Sequence, residues 1–198
     1  VSEHYYTSKP KVEHNRRVVE AILRGRTLKF MTDSGVFSKT GIDFGSQLLI
    51  ASMQIPANAR VLDMGCGYGP IGLSAALLAT GGEVTMVDVN ERALQLSMEN
   101  ARLNQIANVR MIQSDLFTGL VDEKFSHILT NPPIRAGKQV VHQLFDESYD
   151  HMRESGELWI VIQKKQGAAS AFSKLEERYK KVDEVEKSKG YRIIRAIK

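Results

Sequence analysis

Ala59-Arg60-Val61-Leu62-Asp63-Met64-Gly65-Cys66-Gly67-Tyr68-Gly69 decides the fold. Residues 59–64 form a short apolar run that carries one acid, Asp63, and breaks into a turn with three glycines. Glycines admit positive φ and let a ligand come close to the backbone. Pro70 follows, at the first turn of a helix, where a missing N–H costs nothing. Residues 71–79 are apolar and rich in Ala and Leu, the composition of a buried helix. Strand, glycine turn and helix in this order open a parallel α/β unit. Open sheets of that kind bind ligands at the carboxyl ends of their strands.

The same alternation continues along the chain. Apolar runs predict strands at 83–87, 109–113, 125–130 and 156–162, with two closing strands near 181–186 and 191–197. Helical periodicity predicts helices over 91–103, 139–152 and 168–179, the first of them capped by Asn90. Strands separated by helices imply an α/β fold, a mostly parallel sheet with helices on both faces. The first fifty residues are less regular. Residues 12–23 read as an amphipathic helix, 28–31 and 36–38 as a hairpin around Asp33-Ser34-Gly35, and 44–53 as a helix leading into the first strand. No linker separates this part from the rest. Residues 1–198 therefore read as one domain, with 1–55 as its N-terminal extension.

Bulk composition excludes several classes. The chain has 198 residues, 42% hydrophobic and 25% charged, as in a globular domain. No apolar run approaches the roughly 20 residues of a membrane span. The first twenty residues are polar, so no signal peptide is expected, and a chain opening on Val1 fits a trimmed initiator Met or short leader. Cys66 is the one cysteine, so no internal disulfide can form, and a reducing, cytoplasmic location is expected. The five histidines show no metal-ligand spacing, and no metal is expected. Net charge is +3 over residues 1–50, −3 over 51–134 and +4 over 135–198. Basic flanks around an acidic centre suit a polyanion such as RNA, although solvated Lys and Arg on ordinary helices would give the same pattern.

The acidic centre holds the candidate cofactor site. Gly67-Tyr68-Gly69-Pro70-Ile71-Gly72 matches a dinucleotide pattern, which would set a pyrophosphate over the helix N-terminus. Asp63 beside that turn would repel a phosphate. S-adenosylmethionine (SAM) carries an ammonium and a sulfonium and no phosphate, so Asp63, Gly65 and Gly67 favour SAM. Asp88 ends the second strand 25 residues after Asp63, near the offset of a ribose-binding acid. Asp115 follows the third strand, placed to accept from an adenine amino group with Leu116 bordering the ring. Cys66 has no activating base or cation near it in sequence and reads as packing.

Asn131-Pro132-Pro133-Ile134 follows the fourth strand at the same edge. A conjugated amine is a poor nucleophile, because its lone pair is delocalised. The Asn131 side-chain oxygen and the Pro132 carbonyl are both acceptors. Together they can bind two N–H groups and aim the nitrogen lone pair, while Pro132 and Pro133 hold the loop rigid through their fixed φ. Asn131, Pro132 and Pro133 are therefore the catalytic candidates, with Asn131 also bordering the cofactor. Ile134, Arg135 and Lys138 are the substrate-binding candidates.

These motifs resemble the SAM-dependent methyltransferase superfamily over roughly residues 30–198. Within it the chain looks like the RsmC-type ribosomal RNA guanine-N2 methyltransferases, closest to small single-domain bacterial members. The likeness rests on Gly35-Val36-Phe37-Ser38, on Gly41-Ile42-Asp43-Phe44-Gly45-Ser46-Gln47-Leu48-Leu49, on the glycine turn, and on Asn131-Pro132-Pro133-Ile134-Arg135-Ala136-Gly137-Lys138. It implies a seven-stranded Rossmann-like sheet with its last strand antiparallel, and places Phe37-Ser38 and the Gly45 turn near the methionine end of SAM. It also implies methylation of a guanine N2 in ribosomal RNA or a ribosomal subunit. The larger relatives carry a second, degenerate methyltransferase domain ahead of the catalytic one, which this sequence is not expected to have. Related nitrogen methyltransferases usually place Tyr or Phe after Asn-Pro-Pro. Ile134 offers no π-stacking, which argues against a flipped adenine held between aromatic rings. The alternatives are a protein glutamine N5-methyltransferase, whose amide presents the same planar NH2, a SAM-binding module without activity, and a dinucleotide oxidoreductase, which Asp63 disfavours.

Overall fold

The computed structural model describes residues 8–198; the first seven residues of the expected N-terminal extension, His4 among them, lie outside the described residues. In chain order the elements are β1 (Arg17–Leu23), β2 (Arg26–Thr32), α1 (Phe44–Ser52), β3 (Arg60–Met64), α2 (Pro70–Leu78), β4 (Glu83–Asp88) and α3 (Glu91–Leu103). They continue with β5 (Val109–Gln113), β6 (Phe125–Thr130), α4 (Lys138–Asp150), β7 (Met152–Gln163), α5 (Ala168–Glu176), β8 (Lys181–Ser188) and β9 (Tyr191–Ile197). β3 to β9 form a seven-stranded sheet in the order β5-β4-β3-β6-β7-β9-β8, in which β9 runs antiparallel to both its neighbours. The chain leaves β3 toward β4 and β5, then returns to lay β6 on the other side of β3. That reversal is the switch point where such sheets bind ligands.

The apolar runs of the central strands feed two cores. Val61, Met86, Leu129, Trp159 and Val161 face α1, α2 and α3. Leu62, Met64, Ile128, Leu158 and Ile160 face α4 and α5. Successive strand residues alternate between faces, so a strand buried on both reads as an unbroken apolar run. Asn90 caps α3 by accepting from Arg92 N and Ala93 N, as its sequence position predicts.

The N-terminal region departs from the reading of its sequence. Residues 17–23, expected to be helical, are strand β1, paired antiparallel with β2 from Arg17↔Thr32 to Leu23↔Arg26. Val18, Val19, Ile22 and Leu23 fit helical spacing as well as a strand, and the short turn decides between them. Arg24 and Gly25 both have positive φ, at 50° and 78°, which is the two-residue hairpin geometry. The expected hairpin around Asp33 is absent, and residues 36–38 are a turn. Asp33 is instead buried and organises the loop, accepting from Asn15 N at 2.6 Å and Ser34 N at 2.7 Å. Leu23, Leu28 and Phe30 of the hairpin join the core that covers α1 to α3. The helix expected over 139–152 ends at Asp150, because Met152 already starts the long strand β7.

Candidate active site

A cavity of about 340 Å³ opens above the switch point. The glycine turn forms its floor. Gly65 N and Cys66 N donate to Val87 O at 2.8 and 2.9 Å, which stitches the turn over the end of β4. Gly65, Gly67 and Gly69 have φ of 74°, 57° and 107°, values that cost L residues strain. Gly72, in the first turn of α2, has a different reason. A Cβ there would stand 2.8 Å from Asp63 Oδ2 and 2.9 Å from Met86.

Asp63 is not on the cavity wall. It lies fully buried behind the turn, where Oδ2 accepts from Gly72 N at 2.7 Å. Its Oδ1 is buried and, among the described residues, has no partner. Burial raises its pKa to about 7, against the Gly72 hydrogen bond and with some help from the Asp88 charge. A phosphate is opposed instead by the wall itself. Asp43, Asp88 and Asp115 line the cavity, and among the described lining residues there is no Lys or Arg. Such a wall repels a pyrophosphate and suits a cation.

Asp88 ends β4 with both oxygens engaged. Oδ2 accepts from Gly67 N at 2.9 Å and Oδ1 from Asn90 N at 2.8 Å. Burial raises its pKa, opposed by these backbone donors. Each carboxylate oxygen keeps a lone pair for a further donor. Ser114, Asp115 and Leu116 form the next stretch of wall. Ser114 Oγ donates to Leu116 O and accepts from Gly119 N, both at 2.8 Å, which folds the loop after β5. Leu116 is held at φ 47°, a conformation that a branched residue rarely adopts. Burial pushes the Cys66 thiol well above its usual range, so it is no nucleophile at neutral pH.

The Asn131 amide is oriented from a distance in sequence. Its Nδ2 donates to Ser46 Oγ at 3.1 Å and to Asp43 Oδ2 at 3.3 Å. Asp43 is the N-cap of α1 and also accepts from Ser46 N at 3.0 Å. With Nδ2 tied to these two acceptors, Oδ1 is left as the acceptor on the lining side. Pro132 O already accepts from Ile134 N at 2.8 Å. Pro133 has φ −75° and ψ 75°, an inverse γ-turn. One lone pair of that carbonyl remains.

The three residues expected to bind substrate are placed differently from one another. Ile134 is half-buried and packs on the core beneath α4 and α5; the wall near it is made by Ala136, Val140 and Leu144. Arg135 and Lys138 are exposed outside the cavity. The roles of Asp43 and Ser46 are absent from the sequence reading. Asp43-Phe44-Gly45-Ser46 does carry an N-cap pattern ahead of an apolar helix, which is a legible clue to their position. Among the described residues no three His, Cys, Asp or Glu side chains cluster as a metal site. No described helix is long and apolar enough to cross a membrane.

The sheet order, the reversed β9 and a glycine-floored, acid-walled cavity at the switch point define a SAM-dependent methyltransferase. The acid wall of Asp43, Asp88 and Asp115 fits the cofactor's positive charge, and Asp88 fits its ribose hydroxyls. The chain belongs to the methyltransferase small domain family, whose model matches residues 27–195. It is 55% identical over 200 residues to the uncharacterized protein YbxB of Bacillus subtilis (strain 168), covering 100% of both. It is 35% identical over 140 residues to ribosomal RNA small subunit methyltransferase C of Hamiltonella defensa, covering 69% of this chain and 41% of that one. Among solved structures it is similar to the 16S rRNA N2 methyltransferase RsmC of T. thermophilus, determined with AdoMet and guanosine. The TM-score is 0.84 at 24% identity, over 96% of this chain and 52% of that one. The chain thus spans about half the length, or less, of the rRNA methyltransferases it matches.

The buried acid is expected to make cofactor binding depend on pH. In the ligand-free protein Asp63 holds its proton up to about 7. A cationic ligand favours the carboxylate, so below that pH binding must expel the proton. SAM affinity is expected to rise as pH climbs from about 6 to about 8, and the rise should vanish in Asp63→Asn. Titration calorimetry across that range checks this. A flat profile in the parent protein would mean that Asp63 does not sense the cofactor.

Proposed function

We propose that this methyltransferase acts on a planar exocyclic amine, the guanine N2 of ribosomal RNA. The observation that carries the reading is the Asn131 amide, whose Nδ2 is committed to Asp43 and Ser46 and whose Oδ1 remains to accept. SAM supplies a methyl group activated by a positively charged sulfur. Asn131 Oδ1 and Pro132 O take the two N–H groups of the amine. That pairing rotates the nitrogen lone pair out of conjugation with the ring and toward the methyl group. Methyl transfer breaks the carbon–sulfur bond and releases neutral S-adenosylhomocysteine, and the methylated nitrogen then loses one proton to solvent; the chain's contribution is positioning and exclusion of water, with no covalent enzyme intermediate. The relatives named as ribosomal RNA small subunit methyltransferase C, and the likeness to an rRNA N2 methyltransferase solved with guanosine, support RNA as the substrate.

A glutamine side-chain amide offers the same NH2 and is the competing substrate. Ile134, where such enzymes usually carry Tyr, weighs against it. Salt separates the two. Each phosphate contact makes RNA affinity fall with ionic strength, whereas a glutamine substrate makes no such demand. RNA binding should weaken steeply between low and physiological salt. Replacing Arg135 and Lys138 together should reduce the log–log slope by about one to two. RNA binding that ignores both salt and this double substitution would hand the reading to the glutamine amide.

A further inference from the structure

Several exposed cations gather at the carboxyl edge of the sheet, beside the catalytic loop. At the amino edge several are paired: Arg60 and Arg110 share Glu123, Arg178 meets Asp150, Lys180 meets Glu154, and Lys181 meets Asp183, while Arg153 there is exposed with no ion-pair partner among the described residues. At the carboxyl edge, where the cavity opens, Arg135, Lys138, Lys164, Lys165 and Lys189 are all exposed, and among the described residues none has an ion-pair partner. Clustered like charges repel one another and give the fold nothing in return.

Lys164, Lys165 and Lys189 lie at the same edge of the sheet as the catalytic loop. β6 pairs with β7 in the register Thr130↔Ile160. Asn131 therefore sits level with Val161, and Lys164 stands three residues further out, about 10 Å at the rise of a strand. Lys164 N donates to Gly190 O at 2.8 Å, which ties its turn to the β8–β9 hairpin. Lys189 Nζ stands 4.5 Å from the centre of the Phe44 ring, and Phe44 packs on Tyr191 with ring centres 5.6 Å apart. Phe44 follows Asp43, which holds Asn131. A lysine over a half-exposed aromatic pair, with two more lysines on the neighbouring turn, makes the kind of surface that tracks a single nucleic-acid strand.

The turn chemistry points the same way. Lys189-Gly190 is a two-residue hairpin loop with both φ positive, at 47° and 82°, a geometry that favours Asn or Asp before Gly. Arg24 occupies the equivalent place in the first hairpin and has a structural use there. Its guanidinium donates to Ile50 O, Ala51 O and Met53 O. Lys189 has no such anchoring hydrogen bond among the described residues, and its ammonium is held only over the exposed side of the Phe44 ring.

We propose that Lys164, Lys165 and Lys189 contact the phosphates of the RNA strand flanking the target nucleotide. They would be a second bank of contacts beside Arg135 and Lys138. The proposal rests on the RNA reading above. It is tested with a labelled single-stranded RNA oligonucleotide and two double variants of equal charge change. Lys164→Gln with Lys189→Gln should reduce the salt slope of RNA binding by about 1.4, at roughly 0.7 per lost phosphate contact on a single strand. Affinity at about 100 mM salt should fall roughly tenfold, with SAM affinity unchanged. Arg26→Gln with Arg153→Gln removes two exposed cations far from the mouth and should change the slope by less than about 0.5. If both doubles shift the slope equally, or the lysine double binds like the parent while RNA is still methylated, this surface is not the RNA platform and the RNA reading stands. Methyl label appearing in protein alone overturns both.

Discussion

Asn131→Ala is expected to slow single-turnover methyl transfer by about a hundredfold or more, while SAM affinity stays within about twofold. The size of the effect follows from what the side chain does. A conjugated amine must be turned so that its lone pair points at the methyl group, and a misplaced reacting atom is costly even when it is still bound. Asn131 can hold the amine because Asp43 and Ser46 hold Asn131. Asn131→Asp keeps the shape but sets a second carboxylate against Asp43, so it should be nearly as slow as the alanine variant. Asp43→Ala frees the amide to rotate and should lower kcat more than it raises KM. A near-normal single-turnover rate in Asn131→Ala would remove this loop from the chemistry.

Asp88→Ala is expected to weaken SAM binding by about 1.5–3 kcal/mol, the scale of lost charge-assisted hydrogen bonds. That is roughly a ten- to hundredfold rise in Kd. Asp88 has two jobs here. It accepts from Gly67 N and Asn90 N, and so shapes the turn, and it lines the cavity. Asp88→Asn keeps the shape and one acceptor, so it should lose less. Thermal unfolding of each variant separates a loosened turn from a lost ligand contact. Unchanged SAM affinity in a folded Asp88→Ala protein would remove Asp88 from the site.

The sheet from β3 onward was legible because its central strands β3, β4 and β6 are buried on both faces and punctuated by Gly, Pro and Asn. Strand, turn and helix each carry their own local cause there. The N-terminal hairpin was not legible. Val18, Val19, Ile22 and Leu23 satisfy two periodicities, and the deciding residues are the positive-φ pair Arg24-Gly25. Asp63 shows a different limit. Its place in the motif was readable, but its burial beneath Gly72 depends on the packing of α2 over the sheet. The orientation of the Asn131 amide was furthest from view, because its partners Asp43 and Ser46 lie 88 and 85 positions away. No local pattern encodes that contact.

The most direct test of the central claim is transfer of labelled methyl groups from SAM to total RNA and total protein, followed by digestion and analysis of the labelled product. RNA should be presented both naked and as ribosomal subunits. Label recovered as N2-methylguanosine, and absent with Asn131→Ala, is the predicted result. Label recovered only as methylated glutamine in protein, or on a nucleoside position other than an exocyclic amine, would contradict it.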